Sequence, residues 1–390
     1  MKLSKDKWEI VRLGNVCEKV KTVDIRKQKG TFNYIDIGSI DSDLKRIGVI
    51  QELDWSLASS RARQIIMQGD TLFSTVRVNL ERIAYVENEI PNSIATTGFT
   101  IIRANKHVDS RFIFYIVSSP DFINRLCNLQ KGTAYPAVSD KIVFNEEILL
   151  PPIEEQKHIA SLFQSLETAI VQVDGQEKKL KTLWLKMVDE FVNEKPSFGN
   201  LLKGKKLTTV SYCDVTDKLM RKIDPISYGL EKIIGGEHLN SEDLKIRTWD
   251  TVGKDPLGPA FHVLFKSGDI LYGSRRTYLK KVALADFEGV CANTTYVVKA
   301  KEETLLQDLL KHIMISARFT QYSIGVSKGS TNPYINWKDL DNFSFQVPDI
   351  DTQKQIVNVL DKTLNIIEQL KQQKKTLKNL KQKLLNEIFK

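Results

Sequence analysis

Several stretches of this sequence have residue types and spacings that could do chemistry. Gly199-Asn200-Leu201-Leu202-Lys203-Gly204-Lys205-Lys206 follows a phosphate-cradling P-loop up to its last position. There Lys206 replaces the hydroxyl residue that would reach magnesium, and no strand pattern precedes the loop. Thr331-Asn332-Pro333-Tyr334 resembles the Asn-Pro-Pro-Tyr signature with which adenine amino-methyltransferases stack a flipped base. Its second proline is missing, and no glycine-rich loop for a methyl donor accompanies it. Pro120-Asp121 with Glu155-Gln156-Lys157 has the composition of a metal-dependent nuclease centre, yet Glu155 falls at a helix start rather than on a strand. The five histidines, at 107, 158, 238, 262 and 312, lack HxH or HExxH spacing, and the four cysteines, at 17, 127, 213 and 291, lack CxxC spacing. Neither a zinc site, a disulfide framework nor a histidine-based triad is indicated. The chain reads as catalytically empty.

The elements that position these residues come from a duplication. Leu150-Pro151-Pro152-Ile153-Glu154-Glu155-Gln156-Lys157 returns as Val347-Pro348-Asp349-Ile350-Asp351-Thr352-Gln353-Lys354. The offset stays at 197 from Lys131-Gly132-Thr133, matching Lys328-Gly329-Ser330, to Asp189-Glu190-Phe191-Val192, matching Asn386-Glu387-Ile388-Phe389. Upstream the match weakens: Gly69-Asp70-Thr71-Leu72-Phe73 resembles Gly268-Asp269-Ile270-Leu271-Tyr272, and Cys17 falls opposite Cys213. The period is too long for a solenoid, whose repeats run to about 20–50 residues. It implies a duplicated domain and two equivalent binding events. Under this repeat Glu155 aligns with Thr352, and Thr331–Tyr334 with Ala134-Tyr135-Pro136-Ala137, which weakens both chemical readings.

Each copy begins with a mixed region. Short runs such as Phe32–Ile37, Thr100–Arg103, Asp269–Tyr272 and Thr295–Val298 are rich in β-branched and aromatic residues, and helices are expected at Ser110–Ser118 and Leu305–Ser316. An α+β fold follows. Each copy ends in a heptad pattern. In the first, Ile159, Leu166, Val173 and Leu180 interleave with Phe163, Ile170 and Trp184; in the second, Ile356, Leu370, Leu377 and Leu384 accompany Leu360 and Ile367, with Thr363, Lys374 and Lys381 as polar exceptions. A 40-residue helix would be about 60 Å long, more than a compact domain alone can cover. Residues 152–195 hold six basic and eight acidic residues, whereas 351–390 hold nine lysines and four acids, so the two helices are oppositely charged. They are expected to pack together as a coiled-coil spacer holding two heads apart. Pro151-Pro152 and Pro348 mark the helix starts, and Glu154, Glu155 and Asp351 suit the first-turn dipole. The resulting segments are 1–150, 151–195, 196–346 and 347–390, with linker composition at Asn193–Asn200.

Among 390 residues, 42% are apolar, yet no run approaches the ~18 apolar residues of a membrane span. The N-terminal residues lack a signal-peptide pattern, so a cytoplasmic protein without membrane contact is expected. A net charge of +9 suits a polyanionic partner.

Lys328-Gly329-Ser330-Thr331-Asn332-Pro333-Tyr334-Ile335-Asn336, then Val347-Pro348 and Asp351-Thr352-Gln353-Lys354-Gln355-Ile356, resembles the specificity subunit of type I restriction–modification systems. The first half carries the same order in Lys131–Ala137 and Leu150–Lys157, so the resemblance covers the whole chain. It implies two tandem target-recognition domains, each followed by a long helix, in an internal pseudo-two-fold repeat. Each domain would read one half of a bipartite, asymmetric double-stranded DNA target. The resemblance also implies two methyltransferase subunits and motor-nuclease subunits as partners. S-adenosylmethionine, ATP and magnesium would belong to those partners, leaving this chain without a cofactor, a metal or catalysis.

Base edges are read by polar side chains in the groove, so loops are the place to look. Those following the Gly-Asp strands offer Ser74, Thr75, Arg77, Asn79 and Arg82, and Ser274, Arg275, Arg276, Tyr278 and Lys280. The glycine loops offer Lys131, Thr133 and Tyr135, and Lys328, Ser330, Thr331, Asn332 and Tyr334. Arg61 and Arg63 are further candidates, with no obvious counterpart near Phe261-His262. The bland alternatives are a solvated basic hairpin and a structural turn. Two rival functions also stay open: a self-contained adenine DNA methyltransferase, and a coiled-coil assembly adaptor that binds no DNA.

Overall fold

The computed structural model describes residues 5–253 and 258–390. They form two compact units, one ending at Asp174 and completed by Gln372–Lys390, the other running from Gly175 to Lys371.

In the first unit, a four-stranded sheet is ordered Gln51–Asp54, Thr31–Ile35, Ser93–Thr96, Ala62–Ile65, with its central pair parallel. A six-stranded sheet is ordered Cys17–Glu18, Phe99–Ala104, Thr71–Ser74, Ile83–Tyr85, Arg46–Ile47, Ile40–Asp41. Glu9–Arg12 pairs antiparallel with Glu147–Leu150, tying the start of the head to the strand before the long helix. Helices Ser110–Val117 and Pro120–Leu129 cover the core, capped by the side chains of Asp109 and Ser119.

The second unit repeats this plan. One sheet runs Thr216–Leu219, Thr295–Ala300, Ile270–Gly273, Val282–Leu284; the other runs Asp250–Thr251, Lys232–Ile234, Gly289–Ala292, Phe261–Phe265, again around a parallel pair. A register shift interrupts the equivalent antiparallel ladder in each unit, at Ala95/Thr96 and at Phe261/Val263. The sequence-derived strands and short helices lie on these elements, with helix Gln307–Ile313 shorter than expected.

The long helices are Ile153–Val192 and Ile350–Ile388. Each starts on a buried glutamine. Gln156 donates to Pro151 O at 2.7 Å and accepts from Asp109 N–H at 2.9 Å. Gln353 donates to Pro348 O at 3.0 Å and Thr304 O at 2.8 Å, and accepts from Leu306 N–H at 3.0 Å. Each amide thus fastens a helix start to the first turn of the helix beneath it. Glu155 accepts from the Trp8 indole at 3.2 Å, a structural place for a residue of the nuclease-like pattern.

The compact units divide the chain elsewhere than the four sequence segments, because each head is completed by pieces of both helices. In the first unit, Ile159 and Phe163 share a core with Leu385, Ile388 and Phe389. Phe163 stacks 5.9 Å from Phe389, Glu167 pairs with Lys381 at 2.5 Å, and Asp174 with Lys374 at 2.9 Å, so the two segments run antiparallel. The two lysine exceptions in the heptad, Lys374 and Lys381, are therefore ion-paired. In the second unit, Leu180, Trp184 and Val188 share a core with Ile356, Leu360 and Ile367. Of the seam residues, Ile159, Phe163, Ile170, Val173, Trp184, Ile356, Leu360 and Ile367 are buried, while Leu166, Leu180, Leu370, Leu377 and Leu384 are half-buried. Thr363 donates its hydroxyl to Val359 O at 2.8 Å, so this exception is satisfied within its own helix.

Candidate nucleic-acid interface

The Gly-Asp pairs build a turn. Gly69 has φ +91° and Gly268 φ +87°, conformations that favour glycine. The following carboxylates are buried and pull the turn closed. Asp70 accepts from Met67 N–H at 2.8 Å and from two Arg103 nitrogens, each at 2.7 Å. Asp269 accepts from Lys266 N–H at 2.8 Å and from Arg221 at 2.6 Å. The arginines come from different elements, Arg103 from strand Phe99–Ala104 and Arg221 from the segment after Thr216–Leu219, so the sequence repeat hides them.

The strands that follow end in matching loops. In the first unit a 3-10 turn, Val78–Leu80, is flanked by Arg77 at φ +49° and Glu81 at φ +49°. In the second, Thr277–Leu279 is flanked by Arg276 at φ +50° and Lys280 at φ +49°. Left-handed backbone at non-glycine residues costs roughly 1–2 kcal/mol each and persists only where surrounding bonds enforce it.

Those bonds come from the glycine loops. Arg77 N–H donates to Pro136 O at 2.7 Å, and Val138 N–H to Thr75 O at 3.0 Å. Arg276 N–H donates to Pro333 O at 2.7 Å, and Ile335 N–H to Ser274 O at 2.9 Å. The glycine loops are themselves closed by paired bonds, Lys131 with Ala137 and Lys328 with Tyr334. Gly132, at φ +98°, leaves no room for a side chain, since a Cβ would stand 3.2 Å from Tyr135 O. Asn332-Pro333-Tyr334 thus serves loop closure. In each unit, the two stretches singled out separately in the sequence form one surface. The Arg77 guanidinium lies 5.0 Å from the Tyr135 ring centroid, and Arg276 Nε donates to Asn332 Oδ1 at 3.2 Å.

The surface exposes Arg77, Asn79, Lys131, Thr133 and Tyr135 in the first unit. In the second it exposes Arg275, Arg276, Tyr278, Lys328, Ser330, Thr331 and Tyr334, with Asn332 half-buried. The remaining candidates face inward or are engaged by neighbours, as is the exposed Lys328. Ser74, Thr75 and Ser274 are buried, and their hydroxyls donate to Val76 O at 3.0 Å, Gly98 O at 3.1 Å and Thr294 O at 2.6 Å, holding the loop from beneath. Arg82 donates to Ile40 O. Lys280 is engaged by Glu242 at 3.3 Å, and Lys328 by Asp339 at 3.0 Å. Small polar residues in a basic loop read alike whether they face inward or outward; only the packing separates them.

A third turn joins each surface, and the sequence reading missed most of it. Arg61 O accepts from Thr97 N–H at 2.9 Å, and Thr75 N–H donates to Gly98 O at 3.1 Å. The same places are held by Ala260 O with Asn293 N–H at 2.9 Å, and Thr294 O with Ser274 N–H at 3.0 Å. Arg61 therefore has a backbone counterpart in Ala260, but its guanidinium is the first unit's own. Exposed Thr97 and Asn293 had a signal in Thr96-Thr97-Gly98 and Asn293-Thr294-Thr295, polar turns between apolar strands.

Glu237, His238 and Asp250 bring ligand atoms within 4.8 Å of one another. Gly235 N–H donates to His238 Nδ1 at 2.9 Å, so the neutral ring carries its hydrogen on Nε2, facing Asp250 at 3.7 Å. That nitrogen has no lone pair left for a cation, so the trio is not arranged as a metal site. Burial pushes the Cys17 and Cys291 thiols up to about 12, which leaves them protonated and poor nucleophiles. No helix among the described residues is long and apolar enough to cross a membrane.

Two copies of an exposed surface of basic, aromatic and amide side chains, each on an α+β head, carry the side-chain types with which proteins contact nucleic acid. The family model for the type I restriction modification DNA specificity domain matches residues 5–182 and again 211–379. The chain is similar to the type I restriction enzyme MjaVIII specificity subunit of Methanocaldococcus jannaschii, 23% identical over 418 residues that cover 97% of this chain and 91% of that one. It is also similar to the EcoDI specificity subunit of Escherichia coli, 23% identical over 318 residues covering 72% and 70%. A solved structure from work on complex assembly and conformational transition of the type I R-M system matches with TM-score 0.64 and 26% identity, covering 99% of this chain and 98% of the other. The HsdS subunit from Thermoanaerobacter tengcongensis matches with TM-score 0.52 and 27% identity, covering 98% and 96%. This chain belongs to the type I restriction–modification DNA specificity family: it is a specificity subunit, the non-catalytic member that recognises the DNA target.

Proposed function

We propose that the first unit's loops read one half of a bipartite, asymmetric DNA sequence and the second unit's loops read the other. The observation that carries this reading is one loop frame built twice with different side chains. Arg77 and Lys131 keep their type in Arg276 and Lys328, whereas Asn79 and Tyr135 stand where the second unit has Tyr278 and Asn332. A shared frame sets a shared approach to the groove, and unlike side chains select unlike bases. Arginine can grip guanine O6 and N7 together, while the surrounding lysines hold phosphates.

The long helices fix the distance between the half-sites and carry the partners. A second apolar series recurs along them, with Leu162, Ala169 and Leu183 matched at an offset of 197 by Val359, Ile366 and Leu380. Leu183 is 50% exposed, Ile366 48% and Leu380 42%. One set of three falls in each unit: Leu162, Ala169 and Leu380 in the first, Val359, Ile366 and Leu183 in the second. Two corresponding stripes, half-buried at Leu162 and Ala169 and exposed at the other four positions, fit two methyltransferase subunits, with motor-nuclease subunits added for restriction. S-adenosylmethionine, ATP and magnesium act in those partners, in the cytoplasm where the DNA lies, and this chain contributes target choice.

A genome-wide map of adenine methylation, made with and without this chain, tests the reading. A bipartite motif with two unlike halves should vanish on deletion. A map that does not change rejects the proposal.

A further inference from the structure

Seven non-glycine residues among those described have positive φ, and six of them form two equivalent sets: Lys45, Arg77 and Glu81 in the first unit, and Glu242, Arg276 and Lys280 in the second. In the second unit Glu242 sits at φ +52° and its N–H donates to Lys280 O at 3.3 Å. One of its carboxylate oxygens is 3.3 Å from Lys280 Nζ at the end of the reading loop, and the other is 3.2 Å from Lys181 Nζ on the first long helix. Burial raises the Glu242 pKa, but the bond from Lys181 and the charges of Lys181 and Lys280 outweigh this and hold it below the ordinary value. The bridge is therefore ionised.

The first unit has the loop side of this bridge with its signs exchanged. Glu81 ends its reading loop and pairs with Lys45 Nζ at 2.7 Å, with the Lys45 side chain only 15% exposed. Glu167 on the first long helix and Lys381 on the second line the same cleft as Lys45, and both act on its charge. Glu81 and Lys45 thus stand where the other unit has Lys280 and Glu242, while Glu167 is itself paired with Lys381 at 2.5 Å and Lys181 has Lys378 as its counterpart at the 197-residue offset.

We infer that Glu242 is a positioning residue for the DNA-reading loop of the second unit, anchoring it to the spacer helix, and that Lys45 holds the end of the first unit's loop with opposite charge. The inference rests on the assignment of these loops as DNA readers. An isolated exposed ion pair would be worth little. Here the pair holds one end, Lys280, of a strained turn whose other end is Arg276, so a displaced loop moves Arg275 and Arg276 relative to the groove. Reversed polarity also makes each anchor fit only its own loop, since exchanging one member between units would juxtapose like charges.

The test uses the full chain in complex with its methyltransferase subunits, bound to the target found by methylation mapping and to variants of that target altered in one half. The readout is discrimination between target and variant, which cancels general attraction to phosphate. Glu242→Lys should lower discrimination about tenfold, the size of one lost specific contact, in one half-site only. Glu242→Lys with Lys280→Glu and Lys181→Glu, which restores the bridge with every sign reversed, should recover it. Equal loss in both halves, no loss, or failure of the triple variant to recover would each overturn the inference. Glu242→Gln, with folding checked by hydrogen exchange, repeats the comparison should Glu242→Lys not fold, and full discrimination in that variant also overturns it. Arg276→Ala separates the two levels. If it weakens binding while Glu242→Lys does not, only the anchor falls; if it has no effect either, the reading loop itself is misassigned.

Discussion

Replacing Gln353 with leucine should unfasten the second long helix from its head. The side chain is fully buried and its amide makes three bonds, at 2.8, 3.0 and 3.0 Å. Leucine fills similar space but leaves Leu306 N–H, Thr304 O and Pro348 O without that partner. A buried backbone group left unpaired costs about 1–3 kcal/mol. With some return from leucine's apolar burial, the net loss is about 3–5 kcal/mol, a large share of the roughly 5–15 kcal/mol that holds a typical domain. Gln156→Leu removes two such bonds, at 2.9 and 2.7 Å, and should cost about two-thirds as much. Urea denaturation of each full-length variant gives the magnitude. Hydrogen exchange gives the location: Gln353→Leu should deprotect residues 304–310 and 350–358 first, leaving 105–115 as in the parent. A loss below about 1 kcal/mol, or deprotection spread evenly over both units, refutes the reasoning that these amides are local fasteners.

Arg275→Ala and Arg276→Ala should each weaken binding of the assembled complex to its target without lowering thermal stability; unchanged affinity in gel-shift titration rejects the assignment. A heptad inserted into each long helix beside Asp174 and Gln372 keeps the apolar register and adds about 10 Å, so methylation mapping should show half-sites about three base pairs further apart. Unaltered spacing counts against the ruler. Burial lowers the His312 pKa below its usual 6.5 despite the bond to Asp361, with Lys311 also lowering it and Asp308 raising it. The unfolded ring then takes a proton that the folded ring resists. This contribution is intact above about pH 6.5 and is lost as pH falls, at up to about 1.4 kcal/mol per pH unit. Urea midpoints at pH 7 and pH 5 should differ more for the parent than for His312→Asn, and equal differences contradict the assignment.

The duplication, the α+β elements and the two long helices were legible in the sequence because each depends on local patterns: a 197-residue offset, β-branched runs, an apolar heptad and prolines before a helix start. The Gly-Asp and Lys-Gly-Thr/Ser loops were legible as turns for the same reason. Their meeting was not. Arg77 N–H and Pro136 O are separated by 59 positions in sequence and by one hydrogen bond of 2.7 Å in space. The inward turn of Ser74, Thr75 and Ser274, and the engagement of Lys280 by Glu242, were equally hidden, since a polar side chain gives the same letter whether it contacts solvent or a backbone carbonyl.

By itself the sequence determined that there are two copies of one unit, that each ends in a long helix, and that each carries two basic loops. The tertiary structure alone decided that each head is completed by parts of both helices, and which members of each loop stay exposed. The physical reason is that an apolar heptad records that a face must be covered, not what covers it. Ile159 and Phe163 carry one pattern along one helix, yet they are buried against a head and against Phe389, which lies more than two hundred residues away in the chain.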